Sequence, residues 1–329
     1  MEKLSVGVIG VGHLGKLHTK MLKQIENCNL AGVYDSNYDQ AKLVADEFGV
    51  KSFTTIDELL TVVKAVSIAA TTSSHYEVAK KCFENNIHVF VEKPITATIE
   101  QGEELVKIAK ERNLKFQVGH IERFNPGLLS LESFISDPMF IQSDRLSQFN
   151  PRGTDVAVVL DLMIHDIDII LSFIKSEVKQ IDANGVAVVS DHIDIANARI
   201  QFENGAVANV TASRISQKKM RKMRIFQKDH YLSLDFVTGA SEVYRLQPVD
   251  QPALPTSISF GEIGVGDKKK RLIYEQPESK EVNALNYELQ LFVDSVLYDK
   301  KIIVSGEDGL RALKVAEIII QKIEQSKGA

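Results

Sequence analysis

The stretch Ser5-Val6-Gly7-Val8-Ile9-Gly10-Val11-Gly12-His13-Leu14-Gly15 constrains this chain more than any other. A short apolar run enters Gly10-x-Gly12-x-x-Gly15, and Leu14, Leu17, Met21, Leu22 and Ile25 follow at helical spacing. The pattern reads as a strand, a tight turn and an amphipathic helix. Gly10 permits the sharp turn and Gly12 lets a pyrophosphate approach bare backbone. Gly15 lets helix and strand pack closely, while the helix N-terminus, about half a positive charge, faces the phosphates. Gly10, Gly12, His13, Leu14 and Gly15 are thus the expected face of a dinucleotide cradle.

Residues 30–34 read as a second strand that ends at Asp35, 20 residues beyond Gly15. A carboxylate there accepts hydrogen bonds from an adenine ribose and repels a 2′-phosphate, which favours NAD without excluding NADP. The alternative is an aspartate that caps a helix near 38–48. Strands at 65–70, 87–91 and 115–118 alternate with helices at 75–85 and 98–112, as right-handed crossovers in a parallel sheet require. Ligands collect at the carboxyl ends of such strands, where Thr71, Thr72, His75, Glu92 and Lys93 stand. They join the expected cofactor contacts.

After Gly119-His120 the pattern changes. Helices are expected over 124–135 and 155–175, then alternating strands that include Ile195–Phe202 and 206–212, joined across Glu203-Asn204-Gly205. Asn-Gly between such runs is a hairpin signal, because both residues tolerate positive φ. Pro248, Pro252 and Pro255 mark one loop, and Gly261, Gly264 and Gly266 another. Helices near 282–298 and 307–324 close the chain. The expected fold is α/β plus α+β. Residues 1–122 are expected to form a doubly wound parallel sheet, and residues 123–329 an antiparallel β-sheet with C-terminal helices.

Composition excludes several partners. A net charge of −5 with a pI near 6.0 argues against nucleic acid or an anionic membrane as partner. No apolar run approaches the roughly 20 residues that span a bilayer, and strand residues begin by about Leu4, so a cytoplasmic location is expected. Cys28 and Cys82 are isolated, without CxxC spacing, so neither a disulfide framework nor a zinc site is expected. No metal is assigned.

Three features can carry chemistry. Lys93, after the apolar Val89-Phe90-Val91 run and before Pro94, can hydrogen-bond a substrate hydroxyl and stabilise developing charge; its bland alternative is a solvated surface lysine. Asp161 and His165 are four apart on a helix and share a face, with Asp168 near the same stripe. A carboxylate beside an imidazole orients it and raises its basicity, as a base taking a proton from an alcohol requires. The alternatives are a polar seam that satisfies itself, or a metal site from His165, Asp166 and Asp168, which is weaker because adjacent helix residues point apart. The third is Lys218-Lys219-Met220-Arg221-Lys222-Met223-Arg224. It can hold a diphosphate or serve as a charged sheet edge, the edge being favoured.

Gly10-x-Gly12-x-x-Gly15, Thr71…His75, Glu92-Lys93-Pro94 and Asp161-x-x-x-His165, in this order, resemble the Gfo/Idh/MocA family of sugar oxidoreductases. The likeness runs on to Ser305-Gly306-Glu307-Asp308-Gly309-Leu310, though the Thr71-Thr72-Ser73 turn lacks the proline often found there. The resemblance implies that residues 1–122 are an NAD(P)-binding Rossmann domain and residues 123–329 a substrate-binding and oligomerisation domain on an open, mostly antiparallel β-sheet, with an active site between them. By it, Lys93, Asp161 and His165 are the catalytic group, with His165 the acid/base. Gly119-His120-Ile121-Glu122-Arg123-Phe124-Asn125-Pro126 and the basic strand are similar to the branch acting on UDP-N-acetylglucosamine. They suggest His120, Arg123, Asn125, Arg221 and Arg224 as substrate contacts.

The expected activity is therefore NAD-dependent oxidation of a secondary hydroxyl on a sugar, here a nucleotide sugar such as UDP-N-acetylglucosamine, by a homo-oligomer, dimer or tetramer. The rivals are a free-sugar or inositol dehydrogenase, a glycosidase that retains its NAD, and a non-catalytic NAD-binding regulator. The presence of Lys93, Asp161 and His165 together speaks against the regulator.

Overall fold

The structure, a computed structural model, describes residues 2–150, 154, 156–251, 258–279 and 281–327. The first elements alternate: β1 (Leu4–Ile9), α1 (His13–Gln24), β2 (Cys28–Tyr34), α2 (Tyr38–Phe48), β3 (Lys51–Ser52), α3 (Ile56–Leu60), β4 (Ala65–Ile68), α4 (Thr72–Glu84), β5 (His88–Glu92), α5 (Ile99–Glu111) and β6 (Phe116–Gly119). Their strands pair in parallel in the order β3-β2-β1-β4-β5-β6, a doubly wound sheet. Val6, Val8, Val66, Ile68, Val89 and Val91 are wholly buried, as expected for a parallel sheet covered on both faces.

The chain continues through α6 (Pro126–Leu131), β7 (Phe140–Leu146), α7 (Ile164–Phe173), β8 (Val178–Val186), β9 (Ile195–Phe202), β10 (Val207–Ser213), β11 (Met220–Phe226), β12 (His230–Asp235), β13 (Ala240–Pro248), β14 (Ile258–Ile263), β15 (Lys270–Glu275), α8 (Ala284–Leu297) and α9 (Gly306–Lys327). A nine-stranded sheet runs β14-β15-β13-β12-β11-β7-β10-β9-β8. Only its β7–β10 pair is parallel among the described residues, so the expected mostly antiparallel sheet is present. The hairpin at Asn204-Gly205 forms as expected, with Gly205 at φ 86°. No helix among the described residues is long and apolar enough to cross a membrane.

The chain divides into two compact units, Met1–Phe124 with Val282–Lys314, and Asn125–Glu281 with Val315–Ala329. The first differs from the expected 1–122 domain by reclaiming α8. Leu289, Phe292 and Val293 are buried in the same cluster as Val6, Leu22 and Phe90, and Asn27 Nδ2 donates to Asp294 Oδ1 at 2.9 Å. The start of α9 also belongs here. Ser305 and Asp308 cap one another, Asp308 N to Ser305 Oγ at 3.2 Å and Ser305 N to Asp308 Oδ2 at 2.9 Å.

Other expectations shift. The buried face of α1 carries Gly15, His18, Thr19, Met21 and Leu22, whereas Leu14 and Leu17 are 47% and 39% exposed. The apolar stripe read from the sequence was rotated, because polar contacts rather than oil hold His18 and Thr19 inside. The expected helix over 155–175 opens with a π-helical turn at Val159–Met163 before α7, and Asp155 lies outside the described residues. The expected helix over 124–135 is shorter, Pro126–Leu131 plus a 3₁₀ turn. Gly261, expected in a loop, sits at φ 93° inside β14, where the register with β15 shifts, a β-bulge. Pro252 and Pro255 lie outside the described residues.

Candidate active site

The glycine turn is built as a phosphate cradle. Gly10 holds φ 81°, and a Cβ there would stand 2.6 Å from the Ala70 backbone. A Cβ on Gly15 would lie 1.8 Å from the Gly10 carbonyl oxygen. Gly12 differs, since a Cβ there meets nothing within 4 Å. Gly12 is also the N-cap of α1, and no side chain caps that end. The uncapped N-terminus opens on a cavity of about 540 Å³ whose lining includes Gly10, Gly12, His13, Leu14, Asp35 and Thr71. Exposed amides at a positive helix end fit an anionic diphosphate.

Asp35 stands at the end of β2, its Oδ2 accepting from Val11 N at 2.8 Å and its Oδ1 from Asn37 N at 2.9 Å. Oδ1 also accepts from Ser36 Oγ at 3.5 Å, and Oδ2 retains a second lone pair for a ribose hydroxyl. Asn37, not Asp35, caps α2, accepting from Asp39 N and Gln40 N. The capping alternative for Asp35 therefore falls. These residues fit a dinucleotide with an unphosphorylated adenine ribose, NAD.

Two of the expected cofactor contacts sit elsewhere. Thr71 is at the N-cap position of α4 at the cavity, its side chain making no cap hydrogen bond, with Thr72 inside the first turn. His75 is 1% exposed, its Nδ1 facing Pro94 O at 2.9 Å and its Nε2 facing Ala70 O at 3.1 Å. Burial pushes its pKa down against those carbonyls, and while neutral the ring can donate to only one of them. Glu92 is likewise turned inward: His18 Nε2 meets its Oε1 at 2.9 Å, His18 Nδ1 meets Ser67 Oγ at 2.7 Å, and Lys93 N donates to Glu92 Oε2 at 3.3 Å. Lys93 is partly exposed and precedes Pro94 across a cis peptide bond.

In the second unit, Asp161 and His165 are both partly exposed, while Asp166 and Asp168 are each 1% exposed. The π-turn carries Asp161 and the first turn of α7 carries His165; such widened turns recur at functional sites. Arg145 on β7 clamps that turn. Its Nε and Nη2 donate to Asp166 Oδ2 and Oδ1, both at 2.9 Å, a buried bidentate pair. Adjacent helix residues point apart, so engaging Asp166 with Arg145 separates it from His165 and removes the metal alternative's geometry. Farther back, Asp194 accepts from the amides of Val188, Val189 and Ser190 and from the Ser190 hydroxyl. Burial pushes its carboxyl up, but these donors outweigh burial and bring it down to about 2.

The expected substrate contacts fall in both units. His120, in the first unit, is 1% exposed, and Arg123 is partly exposed. Asn125 caps α6, accepting from Gly127 N at 3.1 Å and donating to Phe236 O at 3.1 Å. β11 lies between β12 and β7, so the basic run is not a sheet edge as expected. Arg221 shares a face with buried Met223 and Ile225, in register with Arg145, whereas Arg224 projects from the opposite face and pairs with Asp144 at 3.8 Å. Strand residues three apart lie on opposite faces, so the two arginines cannot grip one diphosphate.

Sequence reasoning missed His18, Ser67 and Arg145. His18 stood three residues after Gly15 and four before Leu22, a helical spacing that marks the inward face. Arg145 left no local signal, because its partner lies 21 residues away.

Comparison with known proteins agrees with this geometry. Residues 4–120 match the GFO_IDH_MocA oxidoreductase family, NAD-binding Rossmann fold, and residues 129–231 match the GFO/IDH/MocA C-terminal domain. The UDP-N-acetylglucosamine 3-dehydrogenase of Acidithiobacillus ferrooxidans is 36% identical over 317 residues, covering 96% of each chain. A solved structure of that enzyme superposes with a TM-score of 0.88 at 34% identity, over 99% of each chain. The myo-inositol 2-dehydrogenase of Thermotoga maritima is 24% identical over 98% of this chain and 97% of its own. With the NAD cradle, the two sheets and both domain matches in hand, this chain belongs to the Gfo/Idh/MocA family of oxidoreductases.

Proposed function

We propose that this enzyme oxidises a secondary hydroxyl of a nucleotide sugar, UDP-N-acetylglucosamine, to the keto sugar. The observation that carries the substrate is the 36% identity, along 96% of each chain, to an enzyme named for that sugar. Bound NAD supplies the hydride acceptor. The chain's own residues manage the proton and the oxygen. His165 takes the hydroxyl proton, Asp161 orients the imidazole and stabilises its charged form, and Lys93 hydrogen-bonds the oxygen as it becomes a carbonyl. The alcohol loses one hydride and one proton, and nothing further is needed. Arg221, in register with Arg145 on the same sheet face, is the cation assigned to the diphosphate.

The setting inferred is cytoplasmic, supported by isolated cysteines, both buried, whose thiols burial pushes up to about 12. Self-association as a dimer or tetramer is inferred through the open face of the nine-stranded sheet. There Phe140, Phe226, Tyr231, Tyr244 and Tyr274 form a cross-strand aromatic ladder with centroids 4.8–5.8 Å apart.

Following NADH absorbance with UDP-N-acetylglucosamine, myo-inositol and NAD tests the reading. Turnover of the nucleotide sugar is expected, and His165→Asn should lower kcat by about a hundred- to ten-thousand-fold, roughly 3 to 5 kcal/mol, with NADH affinity preserved. Turnover of myo-inositol alone, or an undiminished kcat in the variant, overturns it.

A further inference from the structure

The buried pair His18–Glu92 joins two parts of the first unit that the chemistry uses separately. His18 lies one turn past Gly15 on α1, the helix whose N-terminus forms the phosphate cradle. Its ring is wholly buried, packs edge-on against Phe90 at 5.5 Å, and reaches Ser67 at the end of β4 and Glu92 at the end of β5. Ser67 and Phe90 are register partners, so Ser67, Phe90 and Glu92 share the sheet face that α1 covers.

Every atom in this chain of contacts has a partner. Ser67 Oγ meets His18 Nδ1, His18 Nε2–H donates to Glu92 Oε1, and the Lys93 amide donates to Glu92 Oε2. Burial pushes the Glu92 carboxyl up, but the hydrogen bond from His18 and the charge and amide of Lys93 bring it below the usual range, so it serves as an acceptor. The adjacent Gly119 leaves the space this carboxylate occupies, since a Cβ there would lie 2.9 Å from Oε1. On the other side of Lys93, the Pro94 carbonyl is held by His75 at 2.9 Å.

We propose that His18 and Glu92 form a strut that transmits the position of the cofactor helix to Lys93, making both of them positioning residues for the oxygen-binding lysine. The proposal rests on the reading of Lys93 as the catalytic lysine. A small misplacement of a reacting group is enough to slow chemistry by about a hundredfold, so the strut acts on kcat rather than on binding.

A double-mutant cycle on the full-length enzyme tests it, with UDP-N-acetylglucosamine and NAD as substrates, single-turnover rates for slow variants, NADH titration and thermal melts. His18→Phe keeps the ring's bulk and removes both hydrogen bonds; His18→Gln keeps a donor toward Glu92. The expected result is a fall in kcat of about ten- to a hundredfold for His18→Phe, largely recovered in His18→Gln, with the NADH Kd changed less than about threefold. In a Lys93→Met background the His18→Phe loss should vanish, because the lysine it acts through is gone. If His18→Phe does not fold, Glu92→Gln takes its place in the same cycle. An equal loss in both backgrounds, an unchanged kcat, or a loss confined to NADH affinity overturns the strut. Wild-type turnover in Lys93→Met refutes the catalytic reading of Lys93 itself, and is distinguished because it needs no change at His18.

Discussion

Replacing Gly12 with alanine separates the cradle's structural glycines from its binding one. Gly12 holds φ −65° and ψ −153°, a conformation open to any residue, and its Cβ would meet no atom within 4 Å. The fold should lose about 0.5–1 kcal/mol, the difference between glycine and alanine at an N-cap. The methyl would project where a phosphate must come within about 2.9 Å of the helix amides, yet carbon and oxygen need about 3.5 Å. Losing one charge-assisted hydrogen bond costs about 1.5–3 kcal/mol, so NADH should bind about ten- to a hundred-and-fifty-fold more weakly. Gly15→Ala is the contrasting variant, because its Cβ would overlap the Gly10 carbonyl oxygen at 1.8 Å. It should fold poorly before binding is considered. The chain has no tryptophan, so NADH titration reads the nicotinamide's own fluorescence without protein interference. A Gly12→Ala variant that binds NADH as tightly as wild type would refute the assignment of the α1 N-terminus to the diphosphate, and so would a Gly15→Ala variant of undiminished stability for the packing argument.

Two further outcomes follow from the second unit. Asp194 has its carboxyl lowered from 3.8 to about 2, so its stabilisation is present above the unfolded value and fades as pH falls toward the folded one. Asp194→Asn should therefore lower unfolding stability by about 2 kcal/mol at pH 7, narrowing to about 1 by pH 3, as urea melts at the two pH values will measure. Arg221→Gln should raise the KM for UDP-N-acetylglucosamine by about tenfold or more, the loss of a charge-assisted contact. Arg224→Gln, whose side chain is on the opposite face beside Asp144, should leave that KM within about twofold. Equal effects of the two would remove the diphosphate role from Arg221.

Much of the first unit was legible because its signals are local. The glycine turn, the acidic residue 20 positions on, and the β–α alternation are each decided within a few residues by φ preference, helix dipole and hydrophobic period. The inward face of α1 was not, because Leu14 and Leu17 satisfy the apolar pattern while His18 and Thr19 are buried by their hydrogen bonds to Ser67, Glu92 and Gly15. In the second unit the hairpin at Asn204-Gly205 was readable from its turn. The place of β11 was not, since a basic strand reads as an edge until its long-range partners β7 and β12 are known.

By itself, then, the sequence determined the cofactor class and the order of the elements, and it offered Lys93, Asp161 and His165 as the groups proposed to manage a proton and an oxygen. Only the tertiary structure decided which acids are open and which are occupied. Asp166 is taken by Arg145, Glu92 by His18, and the two arginines of the basic run are set on opposite faces. The physical reason is that buried charges must find partners, and those partners lie 21 and 74 residues away, beyond the reach of any local pattern.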